Sequence, residues 1–198
     1  MGRTGNPDRM NSRETMELVK GARQGSRAAF TELVRLHQGF VYGIAFQLLW
    51  DANEAEDVVQ ETFVRIWRNL ARFDTTRSFT TWAYAIATNR CRDRLRERQR
   101  RPSTQMEPEQ MNELEGPADV SATVNAAELQ EIIRRLTERL PLKQRLVFTL
   151  RDLQDLSVRE VAAIVRISEA SVKTNLHLAR RKLRRELTQE YSITGVTS

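Results

Sequence analysis

Residues 156–187 read LSVREVAAIVRISEASVKTNLHLARRKLRREL. Ser157 followed by Glu160 is a capping box, in which each residue's side chain serves the other's backbone N–H at a helix start. Val158, Val161, Ala162 and Val165 give the short helix that follows one apolar side. Arg166-Ile167-Ser168 makes a three-residue turn, and Ser168 is placed to cap a second helix. Val172, Leu176, Ala179, Leu183 and Leu187 then recur at helical spacing and face inward. A short helix, a tight turn and a longer helix form the helix-turn-helix pattern, whose second helix enters the major groove of DNA. Ala162 suits the close crossing of the two helices. The outward positions of the second helix include Glu169, Ser171, Lys173, Thr174, Asn175, His177, Arg180 and Arg181. They mix side chains that read base edges with side chains that neutralise phosphate.

Upstream, residues 126–139 carry Leu129, Ile132, Ile133 and Leu136 on one helical side. Pro141 suits the first position of a further helix with Leu142, Leu146, Val147 and Leu150. Before this module lies an acidic stretch, residues 102–125, without Lys or Arg but with Glu107, Glu109, Glu113, Glu115 and Asp119. It also holds Pro102, Pro108, Gly116 and Pro117, and its apolar residues keep no period, so it reads as a linker. A free coil of that length averages ~27 Å end to end and reaches about 80 Å only when held extended.

A second helical module precedes the linker. An early helix over about residues 13–23 ends near Gly25. Ser26 caps a helix to about Trp50 whose stripe includes Phe30, Leu33, Val34, Val41, Ile44, Ala45 and Leu48. Asn53 and Glu56 resemble a capping box. Ala55, Val58, Val59, Thr62, Phe63, Ile66, Trp67 and Leu70 then hold the helical pattern for four turns, against a polar face with Asp57, Gln60, Glu61, Arg65 and Arg68. After the turn-prone ARFDTTRS, Ser78 caps a long helix over about residues 79–100. Residues 84–101 hold seven Arg, among them Arg92, Arg94, Arg96, Arg98 and Arg100 at a spacing of two, which spreads charge around a helix axis.

Composition agrees with an all-α reading. The 198 residues include 8 Gly and 5 Pro, too few for the turns of an all-β sandwich or barrel. A formal net charge of +6 favours a polyanionic partner, though as a bare number it is weak evidence. The single cysteine, Cys91, excludes an intrachain disulfide framework and reads as a buried thiol in a reducing compartment. Two His and one Cys leave little room for zinc, so neither metal nor cofactor is expected, and no catalytic constellation is visible. No apolar run nears about 18 residues, and the N-terminal MGRTGNPDRMNSR lacks an apolar signal region. A cytoplasmic protein with no membrane insertion is expected.

Three motifs, NEAEDVVQETFVRIWR (53–68), FTTWAYAIATNRCRDRLR (79–96) and the stretch from LPLKQRLVFTLRDLQ (140–154) through Leu187, together resemble the extracytoplasmic-function (group IV) sigma factors of bacterial RNA polymerase. The resemblance implies two small helical domains, sigma region 2 (13–101) and sigma region 4 (126–190). Residues 102–125 would be the linker, 1–12 a disordered tail and 191–198 a C-terminal tail. It implies that Asp57, Gln60, Glu61, Phe63 and Arg65 dock on the β′ clamp helices of core polymerase. Around the melted −10 element it places Phe73, Arg77, Trp82, Tyr84, Asn89, Arg90 and Arg94, with Trp82 and Tyr84 as an aromatic pair and Asn89 at a base pocket. On the −35 element it places Arg166, Ser171, Lys173, Thr174, Asn175, His177, Arg180 and Arg181, beside a contact with the β-flap. An anti-sigma factor is a further implied partner. The sequence departs from the pattern at Arg166, where the turn often holds Gly, and at Asn175 and Leu178, which are commonly Arg. Two other readings stand beside it. One is a DNA-binding regulator independent of polymerase; the other is an enzyme such as a nuclease, which would need a clustered carboxylate or His site.

Overall fold

The computed structural model describes the backbone of residues 8–100 and 124–194, and the side chains of residues 13–100 and 128–189. All regular elements among them are helical: α1 (Asp8–Arg23), α2 (Arg27–Leu49), α3 (Ala52–Asn69), α4 (Phe79–Arg100), α5 (Val124–Glu138), α6 (Leu142–Phe148), α7 (Val158–Val165) and α8 (Glu169–Thr194). A 3-10 turn over Leu70–Arg72 closes α3, and a π turn over Thr149–Leu153 closes α6. The proposed linker lies outside the described residues apart from Val124 and Asn125, which open α5. α1 reaches back to Asp8, into the segment read as a tail, because no Pro or Gly interrupts residues 8–20. α8 likewise continues beyond residue 190, since no breaker precedes Gly195.

Most starts are set by side-chain oxygens. Ser26 Oγ accepts from Ala29 N–H, and Ser78 Oγ from Thr81 N–H. The capping box of Ser157 and Glu160 forms in both directions. α3 differs from the sequence reading: its cap is Asp51, which accepts from Glu54 N–H at 2.8 Å, two residues before Asn53. Pro141 is likewise the cap of α6 rather than its first residue.

α2, α3 and α4 pack together around Leu33, Val41, Ile44, Leu48, Val58, Ile66, Ala87 and Cys91, all buried. The same core continues into Leu146, Leu150, Leu156, Val161, Ile164, Val172 and Leu176, because α7 lies across α4 and the π turn meets α2. The two modules therefore share an interior. Their seam is polar at its edge. The last turn of α2 has no basic residue of its own, and its final carbonyls need partners. Arg98 of α4 donates to the Leu49 carbonyl at 3.0 Å, and Arg145 of α6 donates to that of Leu48. Gln154 Nε2 donates to Gln47 Oε1 at 2.8 Å and presses on Gly43, where a Cβ would stand 3.1 Å from that amide. Trp50 Nε1 donates to Thr137 Oγ1 at 3.3 Å.

Candidate nucleic-acid interface

The first surface lies along α3 and α4. Glu54, Asp57 and Glu61 recur along one side of α3, and Arg90, Arg94 and Arg98 along one side of α4. The helices run antiparallel, so the charges meet in reverse order. Arg98 Nη2 pairs with Glu54 Oε1 at 2.8 Å, and Arg94 stands 3.8 Å from Asp57. Glu61 receives Arg90 Nε at 2.7 Å on one oxygen and Arg94 Nη2 at 2.8 Å on the other. Arg94 also donates to the Glu54 carbonyl at 3.1 Å. Burial alone would raise the Glu61 carboxyl, but the two guanidinium hydrogen bonds hold it below its ordinary value. These residues line an open cleft of about 460 Å³ with Asp93 and Glu97.

Around the turn before α4 the aromatics form a block. Phe73 stacks on Trp82 with ring centres 4.7 Å apart, and Phe79 meets both edge-on at 5.9 Å. Trp82 is half-buried at its edge, as are Asn89, Arg90 and Arg94. Phe73 and Tyr84 are interior residues instead. Tyr84 is 0% exposed, stacked on Phe40 at 4.5 Å, with buried His37 beside it. The i, i+2 spacing of Trp82 and Tyr84 on a helix turns them to different sides, which separates the expected pair. Arg77 is exposed on the turn, where Thr76 folds back on Asp74 through its N–H and hydroxyl.

Phe63 also differs from expectation. It is 6% exposed and belongs to the core, whereas Asp57, Gln60 and Arg65 are exposed. Val64, 49% exposed, continues the stripe of Asp57, Gln60 and Glu61 by one further turn. The resemblance names Phe63 for this face, although the i, i+4 step from Gln60 marks Val64. Trp67 is 42% exposed and packs on Phe30 at 4.7 Å.

The second surface is the outer side of α8. Arg166 adopts the left-handed conformation at φ 59°, which ends α7 and lets Ile167 N–H bond the Ala162 carbonyl. A non-glycine residue there carries a cost of about 1–2 kcal/mol. Ser168 Oγ accepts from Ser171 N–H at 3.1 Å and starts α8. Lys173, Thr174, His177, Arg180 and Arg181 are exposed together, with Arg166 at the turn. Ser171 and Asn175 are half-buried, and the Asn175 amide donates to the Ser171 carbonyl at 2.8 Å. Arg180 forms a two-pronged pair with Asp152 of the π turn, at 2.8 and 2.6 Å. Val172, Leu176, Ala179 and Leu183 are buried beneath.

Two families match in succession: Sigma-70 region 2 over residues 33–101 and Sigma-70 region 4 over residues 130–183. The ECF RNA polymerase sigma factor SigW of Bacillus subtilis (strain 168) is 32% identical over 179 residues, covering 85% of this chain and 94% of SigW. The chain belongs to the ECF RNA polymerase sigma factors. The ECF RNA polymerase sigma-E factor of Escherichia coli (strain K12) is also 32% identical, over 82% of this chain and 88% of its own length. Among solved structures, CnrH in complex with the cytosolic domain of CnrY superposes with a TM-score of 0.70 at 26% identity, covering 89% and 98% of the two chains. RpoE of Bartonella quintana, solved with the anti-sigma factor NepR, shares the fold with a TM-score of 0.60 at 23% identity, covering 80% and 96%.

In this sigma factor, region 2 spans α2–α4 and region 4 spans most of α5 through the first half of α8. The α3–α4 surface thus lies in region 2 and the α8 surface in region 4. Among the described residues, no group of His, Cys, Asp and Glu is arranged to hold a metal ion, and no helix is long and apolar enough to cross a membrane. Cys91 is buried on α4, and burial pushes its thiol up to about 12.

Proposed function

We propose that this sigma factor binds core RNA polymerase and directs it to promoters, with region 2 taking the melted −10 strand and region 4 the −35 duplex. The observation that carries this reading is the pairing of the two surfaces with the two matched regions, in family order. The division would run 13–101, 102–125 and 126–190. The stripe of exposed Asp57, Gln60, Val64 and Arg65 with half-buried Glu61 docks on the β′ clamp helices. Phe63 supports that stripe from the core.

Trp82, Asn89 and Arg77 face the −10 strand, with Arg90 and Arg94 beside them. Melted bases stack on aromatic edges and flipped bases are read by hydrogen bonds, which suits a half-buried Trp and Asn. Phe73 and Tyr84 hold that surface in shape from below. Lys173, Thr174, His177, Arg180 and Arg181 read the −35 duplex, with Ser171 and Asn175 at the groove edge and Arg166 on a flanking phosphate. Joining two weak anchors makes binding bivalent.

The factor works in the cytoplasm and is not an enzyme; the polymerase supplies the chemistry. RpoE of Bartonella quintana, which shares this fold, was solved with the anti-sigma factor NepR, which supports an anti-sigma partner here. Reconstitution with core polymerase on a supercoiled genomic library tests the reading. Promoter-specific transcripts that depend on the factor are expected. Their absence, with tight footprints by the free protein, would replace it with a regulator independent of polymerase.

A further inference from the structure

The two surfaces proposed for region 2 meet at one side chain. Glu61 lies on the α3 stripe assigned to polymerase, yet its carboxylate is held by the two α4 arginines assigned to DNA. Arg94 is 21% exposed and Arg90 38%; Arg90 directs its guanidinium at Glu61, and Arg94 divides its N–H groups between Glu61 and the Glu54 carbonyl. A guanidinium bound to a carboxylate has fewer donors left for a phosphate, and the trio carries a net charge of +1 rather than +2. At the other end of the same helix pair, Arg98 and Glu54 form a separate bridge, and Val58, Ile66, Ala87 and Cys91 bury the seam. The packing of α3 on α4 therefore does not depend on Glu61 alone.

We infer that Glu61 is a positioning residue that withholds Arg90 and Arg94 from a DNA strand until α3 engages the polymerase. The inference rests on the docking reading of α3. Contact with a basic or hydrogen-bonding partner on α3 draws the carboxylate away and leaves two guanidinium groups facing the strand beside Trp82 and Asn89. A structural brace would act in the opposite sense: losing Glu61 would loosen the arginines and weaken capture of the strand.

The test uses the full chain without polymerase and a short fluorescent oligo-deoxythymidylate, which reports phosphate contacts independently of sequence. Glu61→Gln should tighten binding about tenfold at low salt and steepen the salt slope by at least ~0.7, the value for one arginine released on a single strand, since Arg94 keeps its bond to the Glu54 carbonyl. Adding Arg90→Ala and Arg94→Ala to that variant should return both values to those of the parent. In the parent background, the same two alanines should weaken strand capture by the holoenzyme.

An unchanged slope or weaker binding in Glu61→Gln, with helicity retained, overturns the inference. So does an unchanged slope in Glu61→Ala, which serves if Glu61→Gln fails to fold. Affinity for core polymerase is measured in parallel and should fall in Glu61→Gln. A steeper slope with unchanged core affinity overturns the docking reading of Glu61 instead, so the two failures are separable.

Discussion

On α4, Arg90, Arg94 and Arg98 each meet an acid of α3 across a packed seam, whereas on α8 Lys173 and Arg181 extend from an exposed face. Both helices belong to DNA-facing regions, and both rest on a buried apolar side. They differ in how their cations are balanced. In region 2 the acids sit on the neighbouring helix and fix the arginines in place. In region 4 the reading helix offers its charge outward, with Arg180 restrained by Asp152. A balanced surface gains little from long-range attraction and depends on local shape and stacking. An unbalanced one steers DNA from a distance and weakens steeply with salt.

Substitutions, thiol labelling and a pH series test this contrast. The largest effect should come from Tyr84→Ala. If region 2 relies on a packed platform, the loss should be about 3–5 kcal/mol of stability, as for other buried aromatics, seen in a chemical denaturation midpoint. A stable variant with impaired strand capture would return Tyr84 to the DNA surface. Next is Cys91 on the inner side of α4. Its thiol, pushed from 9.0 to about 12, should react on the order of 10³-fold more slowly with a thiol reagent than an exposed cysteine, on its thiolate fraction alone. Rapid labelling of the native chain would mean that α4 is not held against the rest of the core.

In region 4, Lys173→Ala should lower duplex affinity for all sequences and reduce the salt slope by about one. Asp152→Asn should steepen it by about 0.9 through release of Arg180. If neither slope moves, α8 is no more open than α4. The smallest effect concerns pH. The Glu61 carboxyl is held below its ordinary 4.5, so its stabilising contribution is present above that value and disappears as pH falls through the folded one. The parent should be more stable than Glu61→Gln at neutral pH, by no more than about 1 kcal/mol for half-exposed ion pairs, seen as a higher melting temperature. The difference should vanish in the acid range.

Local signals were the legible part of the fold. Oxygen-bearing residues at 26, 78, 157 and 168 and the apolar spacings placed most helices within a residue or two. Asp51 escaped because Asn53 with Glu56 fits the same capping pattern two residues later. The π turn left no signal of its own in the apolar spacing. Within the candidate site, the exposed −35 residues could be read from the outward positions of α8. The pairing of the α3 acids with the α4 arginines could not. A spacing of two across residues 92–100 hid the stripe 90, 94, 98, and no local pattern says which helix lies opposite. The shared core was illegible for the same reason: Arg145 caps the Leu48 carbonyl and Gln154 meets Gln47, contacts between residues far apart in sequence.

A free chain that holds its region 2 cations in check becomes a promoter binder with polymerase. The direct measurement is the affinity of one promoter fragment, recovered from the reconstituted transcription, for the free chain and for the chain bound to core polymerase at the same salt. Binding should be at least on the order of 10²-fold tighter with polymerase, as both anchors engage together. Equal affinity in the two states would contradict it.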